Sequence, residues 1–139
     1  MSAKLITITQ GVRDAIEGHA WMEHPSECCG LLSGRDGLIT QFHPLRNTAE
    51  RPEKRYFAAP EDLFSAMRLI RDQGKSLLGI YHSHPRTPAY PSMSDVEMAF
   101  YPDALYFIMS LEPSVDLRAY RIADSRVENV SVSVLSQTQ

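Results

Sequence analysis

The 139 residues amount to about one domain, enough for a central sheet with helices around it, and 43% apolar with 22% charged residues is ordinary for a folded chain. Seventeen acidic against fourteen basic residues leave a net charge of −3, which supplies no electrostatic reason for a nucleic-acid partner. No stretch reaches the length of a membrane-spanning helix, and the first residues alternate like a strand instead of forming the apolar core of a signal peptide.

Ala3–Thr9 predicts a first strand. From Val12 to Met22 the positions Val12, Ala15, Ile16, His19 and Ala20 recur at helical spacing, and Pro25 ends that helix. Cys28–Ser33 and Leu38–His43 predict two short strands joined through Gly34-Arg35-Asp36-Gly37, a hairpin turn signal. Asn47–Lys54 reads as a polar loop, and Tyr56 and Phe57 as a short strand. Within this region Arg46, Arg51, Lys54 and Arg55 form the only local basic cluster, which a solvated loop explains. A second helix begins at Pro60, with Glu61 and Asp62 at its positive end, and stops at Gly74; Leu63, Ala66, Met67 and Ile70 are its buried stripe. Strand Ser76–His82 follows, then a loop punctuated by Pro85, Pro88 and Pro91, and a short helix from Met93 to Phe100. Leu105–Ser110 is an apolar strand, and Asp116–Ile122 with Val127–Val134 form a last antiparallel pair. The order predicts an α/β (α+β) fold with a mixed central sheet flanked by helices, one domain over residues 1–135 and a frayed tail at 136–139.

The chemistry concentrates at the end of the Ser76–His82 strand, where His82-Ser83-His84-Pro85 is followed by Ser92 and Asp95. If the strand continues through the histidines, both imidazoles project from one face with Cα atoms roughly 6.5 Å apart. Two histidines and a carboxylate with an open fourth position describe a catalytic zinc site. Ser92-Met93-Ser94-Asp95 also has the spacing of a capping box, which by itself accounts for that pair. Amide hydrolysis needs a base as well. Glu27, in Pro25-Ser26-Glu27-Cys28-Cys29-Gly30, lies where a loop enters an apolar strand, and Glu17, Glu23, Glu50 and Glu97 are competitors that spacing does not remove.

These pieces together resemble the JAMM, or MPN-plus, zinc metalloprotease family, whose pattern is a distant glutamate followed by H-x-H-P and S-x-x-D. The resemblance runs over nearly the whole chain. It implies one Zn²⁺ per chain held by His82, His84 and Asp95, a water activated by Glu27, and Ser92 hydrogen-bonding near that water and the developing oxyanion. It also implies cleavage after the C-terminal Gly-Gly of a ubiquitin-like protein. At this length the chain is similar to the compact bacterial members that release cysteine or another adduct from small sulfur carriers, in a cytoplasmic setting. The carrier tail is expected to add along an exposed strand edge beside the metal, with Pro85–Pro91 as a wall.

Two rival functions belong beside this one. A non-catalytic module recognising the same partner is disfavoured, because metal-free members of the family have usually lost a ligand and this chain keeps all three. A zinc hydrolase of the related cytidine-deaminase-like fold acting on a small molecule is disfavoured by the missing P-C-x-x-C layout. Cys28 and Cys29, being adjacent, cannot staple distant parts of the chain and read as reduced, buried small hydrophobes. His19, His24 and His43 read as surface or core-edge residues. Nothing in the sequence sets an oligomeric state.

Overall fold

A computed structural model describes residues 5–136, so Ala3 and Lys4 of the first expected strand and the last three residues of the expected tail lie outside the described residues. The elements in order are β1 (Leu5–Thr9), α1 (Gln10–Glu23), β2 (Cys29–Arg35), β3 (Leu38–Leu45), α2 (Pro60–Asp72), β4 (Ser76–His84), α3 (Met93–Glu97), β5 (Leu105–Ser110), β6 (Asp116–Ala123) and β7 (Arg126–Leu135). The sheet is mixed, as expected: β1 runs parallel to β3 and β7, β4 runs parallel to β5, and the remaining pairs are antiparallel. It does not stop at two edges. β1 pairs with β7 over Leu5↔Ser131 to Thr9↔Leu135, closing the order β1-β3-β2-β4-β5-β6-β7 into a barrel.

The two faces of the sheet carry separate cores. On one, Ile8, Leu32, Tyr81 and Phe107 pack against the Val12, Ile16 and Ala20 stripe of α1. On the other, Leu31, Ile80, Ile108 and Tyr106 pack against Ala66 and Ile70 of α2, with Leu63 and Met67 half-buried beside them. The α1 helix starts at Thr9, whose hydroxyl accepts from the Val12 amide at 3.3 Å. In the β2–β3 hairpin the strands continue further than their hydrophobic pattern suggests. The turn shrinks to Asp36 and Gly37 with φ of 52° and 75°, the two positive values of a tight type I′ connection.

Two expectations need correction. Tyr56 and Phe57 form no strand; the segment touches the sheet region only through the isolated bridge Asn47↔Ala58. A side chain takes the place of a ladder there, because Asn47 Oδ1 accepts from the Ala49 and Phe57 amides at 3.0 and 2.9 Å. The α3 helix ends at Glu97 and does not reach Phe100; Pro102 disfavours helical backbone at the preceding residue, and Phe100 is exposed. The histidine strand β4 is itself flanked by β2 on one side and β5 on the other.

Candidate active site

The β4 strand continues through both histidines, and this decides where their side chains go. His82 and His84 extend the face of Ile80, whereas Tyr81 and Ser83 point to the face of α1. The intervening Ser83 is fully buried and ties the neighbouring strand in place. Its hydroxyl accepts from the Cys28 amide at 2.9 Å, and its own amide donates to the Cys28 carbonyl at 3.1 Å. The residue between the ligand candidates thereby fixes the chain one position beyond Glu27.

His82 Nε2, His84 Nε2 and Asp95 Oδ2 form a nearly equilateral triangle with sides of 3.1, 3.1 and 3.0 Å. Ligands of tetrahedral zinc at about 2.0–2.1 Å stand roughly 3.3 Å apart, so the spacing fits such an ion within a few tenths of an ångström. Proton bookkeeping points the same way. His84 Nδ1 lies 2.8 Å from the Pro88 carbonyl, which can only accept, so Nδ1 carries the proton and neutral His84 turns a bare Nε2 toward the Asp95 carboxylate. Two lone pairs facing at 3.0 Å require a proton or a cation between them. Burial works against charge on His84, yet the bonds to Asp95 and to Pro88 outweigh it and raise its proton affinity. Burial also pushes the Asp95 carboxyl up, but the two imidazoles hold it far below the usual carboxylate range. Buried His82 is driven toward the neutral, ligand-competent form, and the Tyr56 ring stacks on it at 4.5 Å. Among the described residues this is the one cluster of three such side chains positioned to hold a metal.

The capping box is present too: Ser92 Oγ accepts from the Asp95 amide at 3.0 Å and Asp95 Oδ2 accepts from the Ser92 amide at 2.9 Å. Cap and cluster share one oxygen, Oδ2, and do not divide the carboxylate between them. Ser92→Ala is therefore expected to cost roughly 1 kcal/mol in thermal unfolding and at least tenfold in turnover. Full activity in a destabilised variant would reduce Ser92 to a cap.

Glu27 is buried at 6% exposure, against the ordinary preference of a charged residue at a strand entrance. Its amide donates to the Pro52 carbonyl at 2.7 Å, and its carbonyl accepts from Asn47 Nδ2 at 2.9 Å. The backbone is thus held on both sides while Oε1 has no hydrogen-bond partner at all. Burial pushes this carboxyl up to about 7, with the His84 charge opposing the rise. Glu27, His84, Pro85 and Ser92 line a cleft of about 410 Å³. Of its competitors, Glu17 is paired to Arg13, Glu50 and Glu97 are exposed, and Glu23 lines a second cavity of about 390 Å³ that includes Glu27 but not His82, His84, Ser92 or Asp95.

The remaining candidates fall out of the chemistry. Burial pushes both thiols, Cys28 and Cys29, up to about 12, which leaves no thiolate at neutral pH. His43 is buried and bonded to Ser33 Oγ at 2.8 Å, and His19 Nδ1 meets the Tyr81 hydroxyl at 2.7 Å. Asn47 and Tyr56 are site residues that the sequence pattern does not single out. Asn47 joins Glu27 to the loop that delivers Tyr56, and its only trace in the sequence is an asparagine opening a polar loop. Of the proline-rich segment, Pro85, Arg86 and Thr87 line the cleft beside Glu27. The segment is pinned by Ser110 Oγ to the Thr87 carbonyl at 2.8 Å, by His84 to Pro88, and by the Tyr120 hydroxyl to Ala89.

Residues 9–123 match the family of prokaryotic homologs of the JAB domain. The CysO-cysteine peptidase of Mycobacterium tuberculosis is 35% identical over 136 residues, covering 96% of this chain and 93% of that one. The desampylase of Haloferax volcanii is 31% identical, covering 96% and 99%. A solution structure of a protein from Desulfitobacterium hafniense superposes with a TM-score of 0.86 at 34% identity, covering 96% of this chain and 95% of that one.

Proposed function

Because this chain belongs to the prokaryotic JAB-domain family, the compact branch of the JAMM peptidases, we propose that it hydrolyses the amide bond after the C-terminal Gly-Gly of a ubiquitin-like carrier, using zinc held by His82, His84 and Asp95. The observation that carries this reading is the juxtaposition of that triangle with the buried, unpartnered Oε1 of Glu27 on one cleft. The names of the two relatives, one a peptidase on a CysO-cysteine adduct and the other a desampylase, support a protein carrier as substrate.

Zinc, when bound, supplies a Lewis acid that polarises the scissile carbonyl and acidifies water. The rest falls to the chain. Glu27 Oε1 takes a proton from the attacking water and delivers it to the departing nitrogen, a task suited to a carboxyl raised toward neutrality. Ser92 Oγ spends a lone pair on the Asp95 amide, which leaves its own hydrogen to donate to the oxyanion. The pinned 85–91 loop and the loop carrying Glu53 and Lys54 flank the cleft in which the carrier tail would lie.

The test is mass spectrometry of carrier adducts incubated with the protein before chelation, after chelation and after zinc is restored. Cleavage lost and regained with zinc is the expected result. Carrier bound without turnover in every state would instead establish a scaffold module.

A further inference from the structure

The cleft beside Glu27 carries two cations that the reaction does not use, Lys54 and Arg86. Among the described residues neither has an ion-pair partner, whereas Arg46 on the second cavity is engaged by Asp62 at 2.9 Å. Both stand on anchored backbone. Lys54 is two residues from Pro52, whose carbonyl accepts the Glu27 amide, and Arg86 is two residues beyond His84 on the pinned loop. Glu53 is the only other charged residue on the wall besides Glu27.

We propose that Lys54 and Arg86 form a subsite for the free α-carboxylate of a single amino acid leaving the carrier tail. The protein would then prefer a carrier bearing one amino acid over a carrier joined to a second protein through a lysine side chain. This inference rests on the peptidase reading. Hydrolysis breaks the C–N bond, puts the hydroxyl of water on the carrier's terminal carbonyl and its proton on the amine, so the cations take no part in the bond change. Glu27 must reach the departing nitrogen, and the group attached to that nitrogen therefore occupies the cleft that Glu27 shares with His84 and Ser92. In a departing amino acid the carboxylate is one carbon from the nitrogen, within the sweep of two long basic side chains. In a lysine isopeptide the whole side chain intervenes, and the backbone carbonyl is tied up in a peptide bond. Two unpaired cations then meet no anion.

The experiment uses the zinc-loaded protein and a ubiquitin-like carrier ending Gly-Gly-Cys, made once with a free C-terminal carboxylate and once as the carboxamide. The free acid is expected to be cleaved with a kcat/KM higher by roughly ten- to hundredfold, the ratio that one or two charge-assisted hydrogen bonds supply. The double variant Lys54→Ala/Arg86→Ala should bring that ratio close to one. Direct binding of both carriers to Glu27→Gln protein should show the same preference without turnover. Equal cleavage of acid and amide by the parent protein, or a ratio that survives in the double variant, would overturn the subsite and leave the peptidase reading standing. Cleavage of neither, beside cleavage of the same carrier joined to a lysine side chain, would overturn the subsite alone; cleavage of none of the three would sink the peptidase reading as well.

Discussion

Glu27→Gln is expected to lower kcat by two to four orders of magnitude while zinc content and carrier affinity stay close to those of the parent protein. That range is what a positioned general acid–base group contributes. The amide matches the carboxylate in size and keeps both backbone anchors, from Pro52 and Asn47, but cannot accept the proton at Oε1. A second consequence distinguishes this position from an ordinary surface glutamate. Glu27 titrates at about 7 in the folded protein against an ordinary 4.5, so the folded state holds its proton more tightly. Its contribution to stability is fully present below about pH 4.5 and is lost as pH rises through 7. The metal-free Gln variant should therefore be the more stable protein at pH 8, by up to about 3 kcal/mol, with the gap closing toward pH 4.5. Denaturant unfolding at the two pH values measures it, and single-turnover kinetics measure the other half. Parent-like kcat in the variant would place the base elsewhere.

His84→Ala is expected to strip the protein of its metal. Its Nε2 is one corner of the triangle, and its Nδ1 bond to Pro88 is what aims it there. Removing it leaves two ligands where catalytic zinc ordinarily has three. Metal analysis after dialysis should find about one zinc per parent chain and almost none per variant chain, with turnover lost in parallel. Since neither core cluster includes the His84 side chain, and its place in the sheet beside Ser110 is held by backbone, unfolding of the variant should remain cooperative. Equal zinc in both proteins would remove His84 from the ligand set.

The parts of this site that are local in the chain are legible in the sequence itself. The histidines follow from strand period, because alternation sends residues 82 and 84 to one face, and Ser92 with Asp95 follow from cap spacing. Glu27 is legible only through resemblance. Its position depends on the β2–β4 pairing Cys29↔His82 and on Ser83 clasping Cys28, contacts between segments some fifty residues apart that no periodicity announces. The same limit explains Tyr56 and Phe57. Their aromatic character fits a strand, but the Asn47 side chain satisfies the backbone that a strand partner would have held. The basic cluster splits in the same way. Arg46 turns to Asp62, and Lys54 turns to the cleft, a division set by tertiary placement and invisible in composition.

Closure of the sheet also governs how the molecule is assembled. The seam between Leu5–Thr9 and Ser131–Leu135 joins the first strand to the last, so it is the contact with the longest sequence separation in the fold. During synthesis β1 can pair with β3 early but must wait for nearly the whole chain before its other flank is covered, leaving apolar Ile6 and Ile8 without their final neighbours. Contacts of such span slow the approach to the native state. The seam should therefore be the last ladder to gain amide protection in pulse-labelled refolding, after the β2–β3 hairpin has already locked.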